Sequence, residues 1–393
     1  MLRNLGVVAA LLLTTATPAQ AQLRAVSDGA APILAGDRVL WGQRSGAIMH
    51  VVAAPLSGGA PVPFGDVPIR RSDDVWLAAS PAQVAVQLRD SSSPSAPARL
   101  YLAGPDGAFQ LLAGDVGEEP FDPLWPPLSV TAAGVFTQEA VPQLRDAAGR
   151  RTDVVLPPEG SPGFVAAAGS VGVASTDGAL IVFDLRSGTE LHQISLEDYD
   201  AQVTSLAVSP GGDVAATVAV GDGSDVLLWA PAGASRVRAL AREVRMESVA
   251  TAGGRVAYVG SNRLDAGVRV TILDGASGRT VFRGPVTATA ERLSFDGTHL
   301  AYATDACTLL ATEGTAAVIP PGPCVRTETT VTRLEGARAE VTCLSAPSSS
   351  CRVRAAGRTT TVPRGRTRAI RLPRGGTVRV IDPDGRTRTV SPG

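Results

Sequence analysis

Val203-Thr-Ser-Leu-Ala-Val-Ser209 alternates apolar and polar side chains, and Pro210-Gly-Gly-Asp213 follows it with residues that favour a chain reversal. A period of two marks a strand with one buried face, and a Pro/Gly/Asp cluster marks a turn. The stretch continues in the same manner. Residues 214–220 read as a second strand, Gly221-Asp-Gly-Ser224 as a turn and 225–230 as a third strand. Residues 231–235 turn again, and 236–240 read as a fourth strand. Four short strands joined by tight turns predict one antiparallel meander.

The same order recurs in both directions. Downstream, 247–252, 255–260, 268–274 and 279–283 form a copy whose last turn is Gly275-Ala-Ser-Gly278. Upstream, 163–168, 171–176, 179–185 and 190–194 form another, with Arg186-Ser-Gly188 as the matching turn. Residues 74–80, 83–89, 98–103 and 108–112 repeat it around Gly104-Pro-Asp-Gly107, and 33–35, 38–42, 48–54 and 61–64 make the first copy. A weaker copy spans 124–156, and the last runs over 292–319. Units spaced by about forty residues match the period of a four-stranded propeller blade. The expected fold is therefore all-β: a β-propeller of about seven four-stranded antiparallel blades, with a small C-terminal β-rich module. One meander cannot bury both its faces, but stacking neighbours around an axis builds a continuous core and leaves few free edges. The small residues of Ala166-Ala-Ala168, Leu206-Ala-Val208 and Val249-Ala250 suit crowding near such an axis. A pair of β-sandwiches is the competing architecture, because the copy at 124–156 is poor. No stretch carries a run of helical periodicity.

Ser205-Leu-Ala-Val-Ser-Pro-Gly-Gly-Asp-Val-Ala215 resembles the strand–turn–strand signature of TolB-type and WD-like propeller repeats. Asp296-Gly-Thr-His-Leu-Ala-Tyr302 is similar to a second copy of it. Gly211 stands where such repeats commonly place Asp after the proline, and the GH and WD dipeptides of true WD repeats are missing. The resemblance covers two blades well and three loosely. It implies the fold and no particular activity, since such repeats serve many functions.

Both ends of the chain differ from this body. Met1-Leu2-Arg3-Asn4 carries one positive charge, 5–13 is an apolar run, and Ala19-Gln20-Ala21 is a small-x-small triplet. That arrangement predicts a signal peptide over 1–21, with the mature chain beginning at Gln22 and a secreted or envelope-associated destination. The run is too short to span a bilayer, and no twin-Arg pair precedes it. No later stretch is apolar for long enough to cross a membrane, so no transmembrane segment is expected. The propeller is expected over 22–325 and a separate basic unit over 326–393. That tail holds 14 Arg against 5 acidic residues, +9, inside a chain whose net charge is −1. A nearly neutral whole thus hides an acidic body and a basic end.

The cysteines are late: Cys307, Cys324, Cys343 and Cys351. An even number in an exported chain predicts disulfides. Three pairings exist, of which Cys307–Cys324 with Cys343–Cys351 closes the shortest loops. The second pair would pin the first hairpin of the tail. A metal site is the rival reading, without a CxxC spacing or a nearby His to support it.

Residue types exclude several chemistries. All 36 positive residues are Arg, so a lysine Schiff base or general base is excluded. His50, His192 and His299 fall in different repeats, and no G-x-S-x-G, HExxH or P-loop occurs. Gly221-Asp-Gly-Ser-Asp225 and Asp382-Pro-Asp-Gly385 space oxygen ligands as calcium loops begin, but hairpin turns account for both. Glu118-Glu119 and Glu197-Asp198-Tyr199-Asp200 fall between repeats, as solvated loops do. Trp41, Trp76, Trp125 and Trp229 are expected in the core; on one face of a ring they would make a carbohydrate-stacking surface. No catalytic, cofactor or metal residue is assigned. The reading is a non-catalytic, monomeric binding propeller for a protein or an anionic cell-envelope polymer. Nucleic acid is not expected, since the tail has no aromatic residue to stack on bases. The alternative is a propeller hydrolase or lyase acting on glycans through carboxylates in the central funnel.

Overall fold

Period-two alternation and turn chemistry produce strands at nearly every expected place. The computed structural model describes residues 31–390 apart from 46, 59–60, 71, 91, 94–96, 117–127, 140, 155, 157–162, 200, 263–267, 288–291, 305–306, 313–314, 319–328, 336–337, 344–349, 356, 364–366, 372–377 and 382–386. The expected signal peptide, Cys324, Trp125, Glu118-Glu119 and the 382–385 turn lie outside the described residues.

The first blade is β1 (Ile33–Ala35), β2 (Arg38–Ser45), β3 (Ile48–Pro55) and β4 (Val62–Pro68). The second is β5 (Asp73–Ala79), β6 (Val84–Asp90), β7 (Ala98–Ala103) and β8 (Gln110–Val116). The third, with the shortest strands, is β9 (Leu128–Thr131), β10 (Gly134–Thr137), β11 (Gln143–Arg145) and β12 (Arg151–Asp153). The fourth is β13 (Val165–Ala168), β14 (Val171–Thr176), β15 (Ala179–Asp184) and β16 (Glu190–Ser195). The fifth is β17 (Ala201–Val208), β18 (Val214–Val220), β19 (Asp225–Ala230) and β20 (Arg238–Glu243). The sixth is β21 (Arg245–Ala252), β22 (Arg255–Ser261), β23 (Val268–Asp274) and β24 (Thr280–Thr287). The seventh is β25 (Leu293–Phe295), β26 (His299–Thr304), β27 (Cys307–Thr312) and β28 (Thr315–Val318).

Each blade pairs its four strands antiparallel in chain order. The first strand of every blade lies against the first strand of the next, and β25 lies against β1, so seven blades close into a ring. This arrangement excludes the sandwich alternative. Among the described residues no strand is exchanged between blades 1 and 7, because all four strands of each blade are consecutive in sequence. Closure rests instead on packing of Val39, Trp41 and Ala54 against Ala301 and Leu310. It is completed by the Leu34 N–H donating to Ser294 Oγ at 2.9 Å.

The core sits in the seams between blades, not on the axis. One seam joins blades 4 and 5 through Leu180, Val182 and Ile194 against Val214, Val218 and Leu228. The seam between blades 5 and 6 places Leu227 and Trp229 against Val249, Tyr258 and Leu273. Burial of such aliphatic side chains contributes about 1.5–3 kcal/mol each and is the main force holding the ring. At one end of the ring the turns after the first strands meet one another. The Ala132 N–H donates to Gly169 O at 2.9 Å, and Asp213 Oδ2 accepts from Gly254 N at 3.4 Å. Gly169 has φ 58, a left-handed conformation that favours glycine, and a Cβ there would stand only 3.1 Å from Pro210.

Strand limits differ from the expected ones mainly in the outer strands. Residues 61–64 were expected where β4 runs to Pro68, and 279–283 where β24 runs to Thr287. Bulges between Val51 and Val52, and between Ile272 and Leu273, break the side-chain alternation while the backbone ladder continues.

The tail forms two sheets. One is β29 (Thr329–Glu335), β30 (Arg338–Cys343) and β33 (Thr367–Arg371); the other is β31 (Ser350–Ala355), β32 (Arg358–Pro363), β34 (Val378–Ile381) and β35 (Thr387–Val390). Val341, Ile370, Val353 and Val362 are buried. Cys343 and Cys351 do not flank one hairpin, contrary to expectation. β30 pairs with β29 and β33, whereas β31 pairs with β32 and β34, so the two cysteines stand on different sheets. Among the described residues no helix is long and apolar enough to cross a membrane.

Candidate functional site

Seven first strands surround an axial cavity of about 840 Å³. Each of these strands is paired on one side only, so its other edge turns backbone N–H and C=O groups toward the axis. Side chains alternate into the two flanking seams: Val165 and Ala167 pack toward blade 3, Ala166 and Ala168 toward blade 5. Backbone and small side chains therefore line the cavity. Three charged residues among the described ones reach it: Glu247, Arg292 and Asp296.

Asp296 lies at the turn end of the cavity and is held in its own turn. Its Oδ1 accepts from the Thr298 and His299 N–H groups at 2.7 and 2.6 Å, and its Oδ2 meets His299 Nδ1 at 3.0 Å. Glu247 is the third residue of β21, near the opposite end, and pairs with Arg245 at 2.5 Å. Gly297 stands level with Gly253, just past the end of β21. Along the axis the backbone of Asp296 is thus about five residues from that of Glu247, roughly 16 Å at ~3.3 Å per residue. Arg292 reaches across the mouth to blade 2, donating to Val75 O at 3.1 Å with its guanidinium 5.2 Å from the Trp76 ring centre. It passes the end of β1, which has 3 residues where β5 has 7.

The seams on either side of blade 2 bury charge at the same end as Arg292. Asp73 accepts from the Arg70 N–H at 2.6 Å and is paired with Arg99, while its carbonyl is bonded by Arg44. Between blades 2 and 3, Arg145 lies 3.4 Å from Glu139, which also accepts from Thr137 Oγ1 at 2.8 Å. Burial lowers the pKa of Arg89, and the nearby Glu139 charge opposes that shift. In the same region Gln143 donates to Asp153 at 2.9 Å and accepts from Arg151 at 2.7 Å. Buried ion pairs of this kind add little net stability over apolar packing, but removing one partner leaves an uncompensated buried charge.

The residues singled out from sequence do not converge. His50 pairs with Asp66 at 2.7 Å on blade 1, His192 is in β16 on blade 4, and His299 is in blade 7 beside Asp296. Trp41, Trp76 and Trp229 are buried in three different seams, so these three form no stacking surface. The carboxylates of the 221–225 stretch are occupied as turn and ion-pair groups. Asp222 accepts from Ser224 at 2.6 Å and meets Arg242 at 2.9 Å, while Asp225 accepts from the Met246 N–H at 2.6 Å. Ser224 and Arg242 hold the Asp222 carboxyl below the usual range, the serine bond first; burial raises that of Asp225. Cys307 opens β27 in blade 7. Arg292, Glu247 and the Arg89–Glu139–Arg145 group were not foreseen. The available signal was polar residues at core-facing positions, as in Gln143-Leu-Arg145, which is buried throughout.

Comparison with family models and with curated proteins finds no match. Solved structures do match in shape. The chain is similar to a chain of the complex of KlAtg21 with the coiled-coil of AgAtg16, with a TM-score of 0.51 and 12% identity over 77% of this chain and 97% of that one. It is also similar to Kuenenia stuttgartiensis hydrazine synthase, at TM-score 0.48 and 13% identity over 77% of this chain and 99% of that one. A third similarity is to Saccharomyces cerevisiae Sqt1, at TM-score 0.39 and 12% identity, covering 77% and 97%. At such identities the first supports the propeller-like fold alone, and the other two add nothing to it.

Proposed function

We propose that this chain is an exported, non-catalytic binding propeller of the TolB-type or WD-like kind. Its ring contacts a protein or a cell-envelope polymer, and its basic tail holds it to an anionic envelope polymer. The observation that carries this reading is the condition of the carboxylates that reach the cavity. Asp296 is bound within its own turn and Glu247 by Arg245, and their backbones stand about 16 Å apart along the axis. Glycoside hydrolysis uses two carboxyl groups roughly 5–10 Å apart on either side of one bond, which favours binding over hydrolysis. The N-terminal 1–21 segment and the four cysteines fit an oxidising compartment outside the cytoplasm.

Co-sedimentation with washed cell envelopes across a salt series tests the proposal, using the full-length chain beside a version ending near Pro323. The expected result is binding by the full-length chain alone, falling as salt rises, because the tail carries the net positive charge. Absence of binding by both versions would overturn the attachment reading.

A further inference from the structure

The two sheets of the tail treat charge differently. In the three-stranded sheet the register sets Arg333 opposite Glu340 and Glu335 opposite Arg338. The four-stranded sheet has no such complement: its strands contain five Arg and neither Asp nor Glu. Arg354 stands directly opposite Arg379 in the ladder, and Arg352 lies two residues along β31 on the same face. Thr359 and Thr361 flank them on β32, opposite Arg354 and Arg352. Arg352, Arg354, Arg379, Thr359 and Thr361 are all exposed, whereas Val353 and Val362 on the other face are buried. Like charges directly opposite each other destabilise a sheet, so stability does not account for this arrangement.

We propose that this exposed face binds a linear polyphosphodiester other than nucleic acid, which rests on the reading of the tail as an attachment module. Neighbouring Arg on the face are about 5–7 Å apart across and along the strands, a spacing suited to successive charges on an extended chain. The guanidinium fork matches the paired oxygens of a phosphodiester, and threonine hydroxyls supply further donors between the forks. Nucleic acid is disfavoured because residues 326–393 contain no aromatic side chain on which a base could stack.

The test is titration of the full-length protein with fluorescently labelled poly(glycerol phosphate) over a sodium chloride series. The expected result is an affinity that falls log-linearly with salt. The double variant Arg354→Gln with Arg379→Gln should weaken binding at least about tenfold at low salt and reduce the salt slope by about 2. Arg354→Lys with Arg379→Lys keeps the charge and should keep the slope, which separates loss of charge from loss of fold. Arg236→Gln with Arg279→Gln, exposed on the propeller, removes equal charge and should change affinity by less than about twofold. Equal weakening by that control would overturn the proposal, as would poly-L-glutamate or single-stranded DNA of matched charge binding as tightly. If the polymer fails to bind while envelopes still sediment the full-length chain through its tail, this ligand class falls and the attachment reading stands.

Discussion

Aspartates in the turns act as local clamps. Asp184 Oδ1 accepts from Ser187 N and Oγ, both at 2.8 Å, and Asp274 Oδ1 accepts from Ser277 N at 2.7 Å in the equivalent turn of blade 6. These bonds hold both carboxyls below the ordinary range, as hydrogen bonds to the charged form do. The largest such effect is at Asp90, where bonds from the Ser92 side chain, then Ser72, then the Ser92 backbone lower the pKa to about 2. A carboxyl lowered in the folded state stabilises the fold above its unfolded pKa, and that contribution disappears as pH falls through the folded value. The urea midpoint should therefore drop between pH 4 and about pH 2, and Asp90→Asn should flatten that drop by lowering the midpoint at pH 7 while changing it little near pH 2. An identical pH dependence in the variant would show that Asp90 contributes nothing to it. Turn aspartates were legible in sequence as turn formers; which backbone and serine groups their carboxylates accept from required the turn geometry.

At the level of elements, the junction between blades 7 and 1 is where the ring is most exposed to failure. A propeller that borrowed a strand from its other terminus would lock this seam with a hydrogen-bonded ladder, but here β1 to β4 and β25 to β28 are each complete from one stretch of chain. The seam depends on one small core, the Leu34–Ser294 bond and the reach of Arg292 to Val75. Ser294→Ala leaves the Leu34 donor without that acceptor and should cost about 1–2 kcal/mol. Arg292→Met keeps the aliphatic stem, loses the bond to Val75 and the contact with Trp76, and should cost a similar amount. Because both changes loosen one closure, a double-mutant cycle by urea unfolding should give a coupling of at least about 0.5 kcal/mol, and strict additivity would refute a shared role. The blades themselves were readable from turn spacing. Arg292 was not, since its partner is more than two hundred positions away in sequence and only ring closure brings them together.

For the whole molecule, no strand of the tail pairs with a strand of the propeller among the described residues. The two units bury their own cores, and their charges are opposite in sign. Urea unfolding of the full-length chain should accordingly show two transitions, with the smaller one assigned to the tail. Reductant should lower that transition selectively if Cys343 and Cys351 join its two sheets, because cross-linking acts mainly by restricting the unfolded chain. A single transition seen by every probe would instead mean that the units fold as one.

Sequence by itself determined the repeat, the all-β class and the contrast between acidic body and basic tail. These follow from local rules: alternation selects strands, Gly, Pro and Asp select turns, and a meander must stack to cover its faces. Tertiary structure decided the closing of exactly these seven blades into one ring, visible in β25 against β1. It also decided the engagement of Glu247 and Asp296 with their neighbours, and the gathering of Arg352, Arg354 and Arg379 on one face. Arg354 and Arg379 lie on strands that are not consecutive in sequence, β31 and β34, so only the register of the folded sheet places them opposite each other. The physical reason is common to all three: strand propensity is set by near neighbours, whereas the partner across a ladder or a ring is set by whichever packing buries the most apolar surface.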